Sequence, residues 1–165
     1  MGELARVGRD DRPRALSPRP AEPEEADELS ALAFRSKAYW GYDAEFLELC
    51  RSELTLTADF IKAGEVHLIE IGEGAVGFYS LVRWNSDVEF GHFFVDPGYI
   101  RQGVGVLLWN HALARAVALG YGRLIIEADP NAEGFYLKLG AERIGEVPSR
   151  AKAGRLLPLL FFPLR

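Results

Sequence analysis

"VDPGYIRQGVGVLLW", Val95 to Trp109, decides how this chain is read. An apolar run (DVEFGHFFV, 87–95) ends in an Asp96-Pro97-Gly98 turn. Two glycines, Gly103 and Gly105, then open a stretch with apolar residues at helical spacing. The first turn of a helix leaves N–H groups unpaired and carries the positive end of the helix dipole. Glycine there removes Cβ and lets a ligand come close. Strand, turn, glycines and helix in that order suit a bound pyrophosphate. The plainer alternative is that the glycines serve the turn alone. The dinucleotide fingerprint is not matched, because Leu108 stands where its third glycine belongs, which leaves a dinucleotide-dependent oxidoreductase a distant third reading; a P-loop is not matched either, because no Walker lysine is present.

The helix is expected over Gly103–Leu119 and to stop at Gly120. Val106, Trp109, Leu113, Ala116 and Val117 are expected to pack on a sheet, with Asn110, His111 and Arg115 facing away. Upstream, EVHLIEI (65–71) and AVGFYSLVRW (75–84) flank a GEG turn and read as a hairpin, with 87–95 as a third strand. Residues 21–40 and 43–54 read as helices, the first with Leu29, Leu32 and Ala33 inward, the second capped by Asp43. Downstream come a strand (123–128), a short helix (131–140) closed by Gly140, and two strands (142–147 and 156–164). Helices, then antiparallel strands, then β-α-β-α-β, indicate one α+β domain. Its expected span is 21–165, behind a loose charged, proline-bearing extension over 1–20 with a short strand near Ala15-Leu16.

At 165 residues with 48% hydrophobic content, the chain is long enough to bury a core. The net charge of −5 argues against a nucleic-acid binder, which needs a basic face. No apolar run approaches the roughly 20 residues of a membrane span. The single cysteine, Cys50, excludes an intrachain disulfide and offers no metal cluster. A cytoplasmic protein without membrane contact and without a metal is expected.

The stretch resembles the acyl-CoA-binding signature of the GNAT superfamily of N-acetyltransferases: a strand ending in Val-x-Pro, then Arg/Gln-x-x-Gly-x-Gly/Ala at a helix start. Val95, Pro97, Gly103 and Gly105 match, while the Arg/Gln position falls on Ile100, with the arginine displaced to Arg101. "FYLKLGA" (135–141) is similar to the family's Tyr-x-x-x-Gly-Phe segment, with Ala141 replacing the aromatic and Ala132 matching a small residue. The family's asparagine ahead of that helix falls on Asp129, with Asn131 two positions later.

The resemblance implies a mixed, mostly antiparallel sheet with helices on both faces, an α/β sandwich splayed at a cofactor notch. It implies acetyl-CoA as co-substrate, its pantetheine arm laid like an added strand between 87–95 and 123–128. The residues expected to hold it are Phe93, Phe94, Val95, Ile100, Arg101, Gln102, Gly103, Val104, Gly105, Val106 and Asn131. The implied reaction is acetyl transfer to a primary amine, directly in a ternary complex.

By ungapped comparison Glu89 falls on the family's glutamate base; a solvated strand glutamate is the other reading. Regular alternation puts Glu89, Gly91, Phe93 and Val95 on one face and His92, the rival base, on the other. A strand bulge would disturb that count. Tyr136 falls on the tyrosine that protonates the thiolate; a core tyrosine is the other reading. Cys50 reads as a half-buried helical thiol rather than a nucleophile. His67 and His111 read as structural or solvated. Tyr39, Trp40, Tyr42 and Phe46 border the acceptor pocket or form a satellite core, and Tyr79 and Trp84 are candidates for the same wall. The acidic balance suits a cationic amine. Whether the acceptor is a small molecule or a protein amine stays open, as does assembly as monomer or homodimer. A non-catalytic acyl-CoA-binding or sensing module is the rival from another class.

Overall fold

The computed structural model describes residues 16–164. Strand β1 (Arg19–Pro20) is followed by α1 (Ala26–Ala38), α2 (Ala44–Leu54) and α3 (Ala58–Ala63). Then come β2 (Glu65–Ile71), β3 (Gly74–Trp84), β4 (Asp87–Val95) and α4 (Val104–Ala118). The chain ends with β5 (Arg123–Glu127), α5 (Glu133–Lys138), β6 (Glu142–Pro148) and β7 (Leu156–Pro163). The strands form one sheet in the order β1-β2-β3-β4-β5-β7-β6. All neighbours are antiparallel except β4 and β5, which pair in parallel at Val88 with Leu124 and Glu89 with Ile125. β4 then runs on to Val95 unpaired on that side, so the sheet opens into a slot.

The early expectations hold in most places. Leu29, Leu32 and Ala33 of α1 are fully buried, and the Asp43 carboxylate accepts from Phe46 N at 2.8 Å. Ala15 lies outside the described residues; Leu16 is irregular, and the nearby pairing is Arg19 with Leu68 and Pro20 with His67. α3, capped by Thr57, was not expected. Among the described residues no helix is long and apolar enough to cross a membrane.

The sheet separates two cores. α1, α2 and α3 pack on one face through Leu29, Leu32, Cys50 and Ile61, with Phe78 of β3 beneath. α4 packs on the other through Val104, Leu108, Trp109, Ala112 and Ala116, with Tyr79 and Leu124 beneath. This corrects the expected stripe on α4. Trp109 and Ala116 are buried, but Val106 and Val117 are 43% and 52% exposed. His111 and Arg115 face the sheet's side instead: the Tyr79 hydroxyl lies 2.6 Å from His111 Nδ1, and Arg115 pairs with Glu65 at 2.7 Å. The reason is at Gly77 of β3, where a Cβ would stand 2.9 Å from both Val104 and Leu108. Missing that Cβ, the sheet accepts the 104-108-112-116 ridge at close range. The helix is apolar on several sides, so its spacing alone does not choose among them.

β4 carries the second correction. Phe90 pairs with Leu81 and His92 with Ser80, which leaves Gly91 as an extra, bulged residue. After the bulge, Phe93 and Val95 join Val88 and Phe90 on the α4 side. Glu89, opposite Val82, shares its side with His92 and Phe94, toward α1–α3. Glu89 is therefore not on the face of Phe93 and Val95, and His92 is not opposite to it. A Cβ at Gly91 would lie 2.7 Å from Ser80 Oγ, so glycine is what fits there.

Candidate functional site

The opened slot belongs to a cavity of about 930 Å³. One wall is β4 from Glu89 to Val95; the floor is the loop and first turn at Ile100, Arg101, Gly103, Gly105 and Val106; the other wall is Ile126, Glu127, Asn131 and α5 with Phe135 and Tyr136. It gathers nearly all the expected residues. Gln102 and Val104 do not line it. Gln102 turns its amide onto Gly98 O at 3.0 Å, and Val104 is buried in the α4 core.

The loop is shaped by local chemistry. Asp96 accepts from Gly98 N at 2.9 Å, and Pro97–Tyr99 form a single 3-10 turn. Arg101 and Gly103 both take left-handed backbone (φ 63° and 86°), which only glycine adopts freely. The first bond of α4 runs from Leu107 N to Gly103 O at 3.1 Å. The N–H groups of Val104, Gly105 and Val106 thus have no partner within the helix, as an anion site requires. Gly105 has a packing reason as well, since a Cβ would meet the Phe135 ring at 3.1 Å.

Glu89 is half-buried in the cavity wall, and among the described residues its carboxylate has no ion pair. Burial and the nearby Glu127 push its pKa above the ordinary glutamate value, opposed by Arg150. Tyr136 is 5% exposed, packed against Phe90, Phe93, Trp109 and Phe135. Burial and the Asp129 charge raise its pKa, so the phenol is protonated at neutral pH. His92 has both nitrogens engaged: Nε2–H donates to Glu53 O at 3.2 Å, and Nδ1 accepts from the Ser80 hydroxyl at 2.8 Å. Burial lowers its pKa to about 4. It pins the end of α2 to the sheet. The Cys50 thiol is buried and its pKa is raised by that burial.

Among the aromatic candidates, Trp40 lines the cavity and stacks edge-on with exposed Tyr39 at 5.1 Å. Tyr42 and Phe46 pack together at 4.6 Å instead. Tyr79 is fully buried and Trp84 lies at the far end of β3; neither reaches the cavity. Sequence reasoning missed a polar cluster on the α1–α2 side, joining Lys37, Tyr42, Asp129, Asn131 and Arg155. Those residues carry no shared spacing; only the fold brings them together. Among the described residues there is no group of three or more His, Cys, Asp or Glu side chains placed to hold a metal.

Residues 26–156 match the family described as Acetyltransferase (GNAT) domain. The chain is similar to the peptidyl-lysine N-acetyltransferase YjaB of Salmonella typhimurium, 32% identical over 115 residues, which cover 67% of this chain and 75% of that protein. Its fold is similar to a GCN5-related N-acetyltransferase from Rhodopseudomonas palustris, with TM-score 0.73, 22% identity, and 91% and 96% of the two chains covered. It is also similar to the PaiA N-acetyltransferase of Thermoplasma acidophilum, solved in complex with coenzyme A. That match has TM-score 0.72 and 14% identity, with 90% and 99% of the chains covered. With its helix-headed slot, its parted β4 and β5 and a family match over most of its length, the chain belongs to the GNAT acetyltransferase family and is an acyltransferase.

Proposed function

We propose that the protein moves an acetyl group from acetyl-CoA to a primary amine, directly, in a ternary complex. The observation that carries this is the single cavity that joins the open first turn of α4 and the β4–β5 slot to an unpaired carboxylate, Glu89, and a protonated phenol, Tyr136. The pyrophosphate takes the N–H groups of Val104 to Val106, and the pantetheine arm bonds the free edge of β4 beside Phe93 to Val95. Phe93 to Val95, Ile100, Arg101, Gly103, Gly105 and Val106, with the Val104 N–H and with Asn131 at the slot's far wall, form the cofactor site.

Glu89 takes a proton from the acceptor ammonium, directly or through one water. Its raised pKa brings it nearer the operating pH than an ordinary glutamate. The amine lone pair attacks the thioester carbon, the tetrahedral adduct collapses, and the C–S bond breaks. The departing thiolate takes the Tyr136 hydroxyl proton, and the extra proton still carried by the acceptor nitrogen passes through water to the phenolate, leaving a neutral amide, the CoA thiol and the phenol restored, while Glu89 gives its proton to solvent. An acyl-cysteine route is disfavoured, because the buried Cys50 thiol is held in its neutral form. Of the two acceptor classes left open, the similarity to a peptidyl-lysine N-acetyltransferase favours the lysine ε-amine of a protein.

The test is thiol release from acetyl-CoA with lysine peptides and free diamines, run on the parent and on Glu89→Gln. Turnover should fall by roughly 10²–10⁴-fold in the variant, recovering partly at higher pH, with CoA affinity unchanged. Undiminished turnover in Glu89→Gln removes Glu89 as base. Absence of any release above the amine-free rate argues for the non-catalytic binding module.

A further inference from the structure

Behind the acceptor end of the cavity, one phenol gathers groups from distant parts of the chain. The Tyr42 hydroxyl lies 2.9 Å from Asp129 Oδ2, 3.0 Å from Asn131 Nδ2 and 2.9 Å from an Arg155 guanidinium nitrogen. A phenol has one proton to donate and two lone pairs. It donates to the carboxylate and accepts from the amide and the guanidinium, so its hydrogen-bonding capacity is filled. Burial and Asp129 push its pKa up to about 12, which keeps the donated proton in place. Asp129 also accepts from Lys37 Nζ at 2.5 Å and from Asn131 N at 2.8 Å. The cluster is well shielded, with Lys37, Asp129 and Arg155 side chains 14%, 15% and 19% exposed.

Three segments are tied by this one oxygen. Tyr42 lies in the α1–α2 link, Asp129 and Asn131 in the loop after β5, and Arg155 just before β7. The loop leads straight into α5 through Ala132 N to Asp129 O (2.8 Å) and Phe135 N to Ala132 O (3.1 Å). α5 in turn sets Phe135 against Gly105 in the first turn of α4 and Tyr136 in the cavity wall. A continuous series of contacts thus runs from Tyr42 to the floor of the slot. Yet neither Tyr42 nor Arg155 lines the cavity.

We propose that Tyr42 is a positioning residue: its hydroxyl ties the α1–α2 link to the β5–α5 loop and so holds α5 against the first turn of α4 in the geometry that binds CoA. This rests on the reading that CoA occupies the slot. Because coupling between sites is reciprocal, bound CoA also seats the link on the acceptor side before an amine arrives.

Tyr42→Phe keeps the ring that packs on Phe46 and removes only the tie. Titration of CoA by calorimetry should show binding about tenfold weaker than in the parent, a size within the usual range for coupled sites. Hydrogen exchange of the backbone amides over 129–139 should speed up. Arg19→Ala is the control. It breaks the pairs with Glu25 and Glu70 at the far edge of the sheet, and should lower stability while leaving CoA affinity alone. Should Tyr42→Phe fail to fold, Arg155→Met removes one donor to the same oxygen and is titrated instead. CoA binding by the folded variant within about twofold of the parent overturns the positioning role and leaves the cofactor site standing. Equal weakening in Arg19→Ala also overturns it, by making the loss a general one. Failure of the parent to bind CoA overturns the reading of the slot, and the proposal with it.

Discussion

Acid should unfold this protein partly through His92, and the size of the effect follows from its surroundings. The ring is packed among Phe60, Phe78 and Phe94, with centroids 5.5, 5.8 and 6.3 Å away. Its Nδ1 lone pair is held by the Ser80 hydroxyl, so a proton there must displace that bond. The pKa falls from 6.5 to about 4, mainly because burial disfavours the cation. Between these values the unfolded chain binds a proton that the folded one does not. Stability from this site is therefore complete above about pH 6.5 and is lost as the pH falls toward 4. Linkage puts the loss at about 2 kcal/mol by about pH 5. Urea unfolding of the parent and of His92→Gln, at several values between about pH 7.5 and 5, isolates the term, since glutamine does not titrate and other groups cancel in the difference. The parent's advantage should shrink by about 2 kcal/mol over that range. A difference flat to within about 0.5 kcal/mol would refute the assignment of His92 as a half-buried neutral pin.

Two further outcomes are expected. Tyr136→Phe keeps the ring and its aromatic contacts, and turnover should fall by roughly 10²-fold, the lower end for a lost general acid because a thiolate leaves readily. A variant with full turnover and a lower melting temperature would make the tyrosine structural. Gly77→Ala puts a methyl 2.9 Å from Val104 and Leu108. It should cost about 1–3 kcal/mol as overpacking, read as a lower urea midpoint, whereas an unchanged midpoint would mean that α4 does not depend on that close approach.

Much of the fold is legible in local chemistry. Asp43 caps α2, Gly120 and Gly140 adopt left-handed backbone just after α4 and α5, and the 65–84 hairpin closes at its Gly72-Glu73 turn, pairing Ile71 with Gly74. These signals act between near neighbours, where sequence spacing translates directly into space. The slot's floor is legible for the same reason, being one continuous stretch. Errors arise where a distant residue decides. The buried side of α4 is chosen by Gly77, on another strand, and the facing of Glu89 is set by one extra residue at Gly91. The Tyr42 cluster draws on five positions from Lys37 to Arg155 that no periodicity relates, and the departure from the family's asparagine at Asp129 becomes meaningful only beside Lys37.

The bulge at Gly91 makes β4 sensitive to length in a way that differs from its sensitivity to composition. Excising that one residue would leave Phe90 and His92 adjacent, and plain alternation would then keep Glu89 and His92 on one side and Phe90 and Phe93 on the other, as they are now. No side chain of the core would need to move across the sheet. What would be lost is the local kink and added twist that a bulge imparts, just past the last residue of β4 paired to β5. A single-codon deletion there is expected to keep the packing of both faces and to straighten the stretch of β4 that borders the slot.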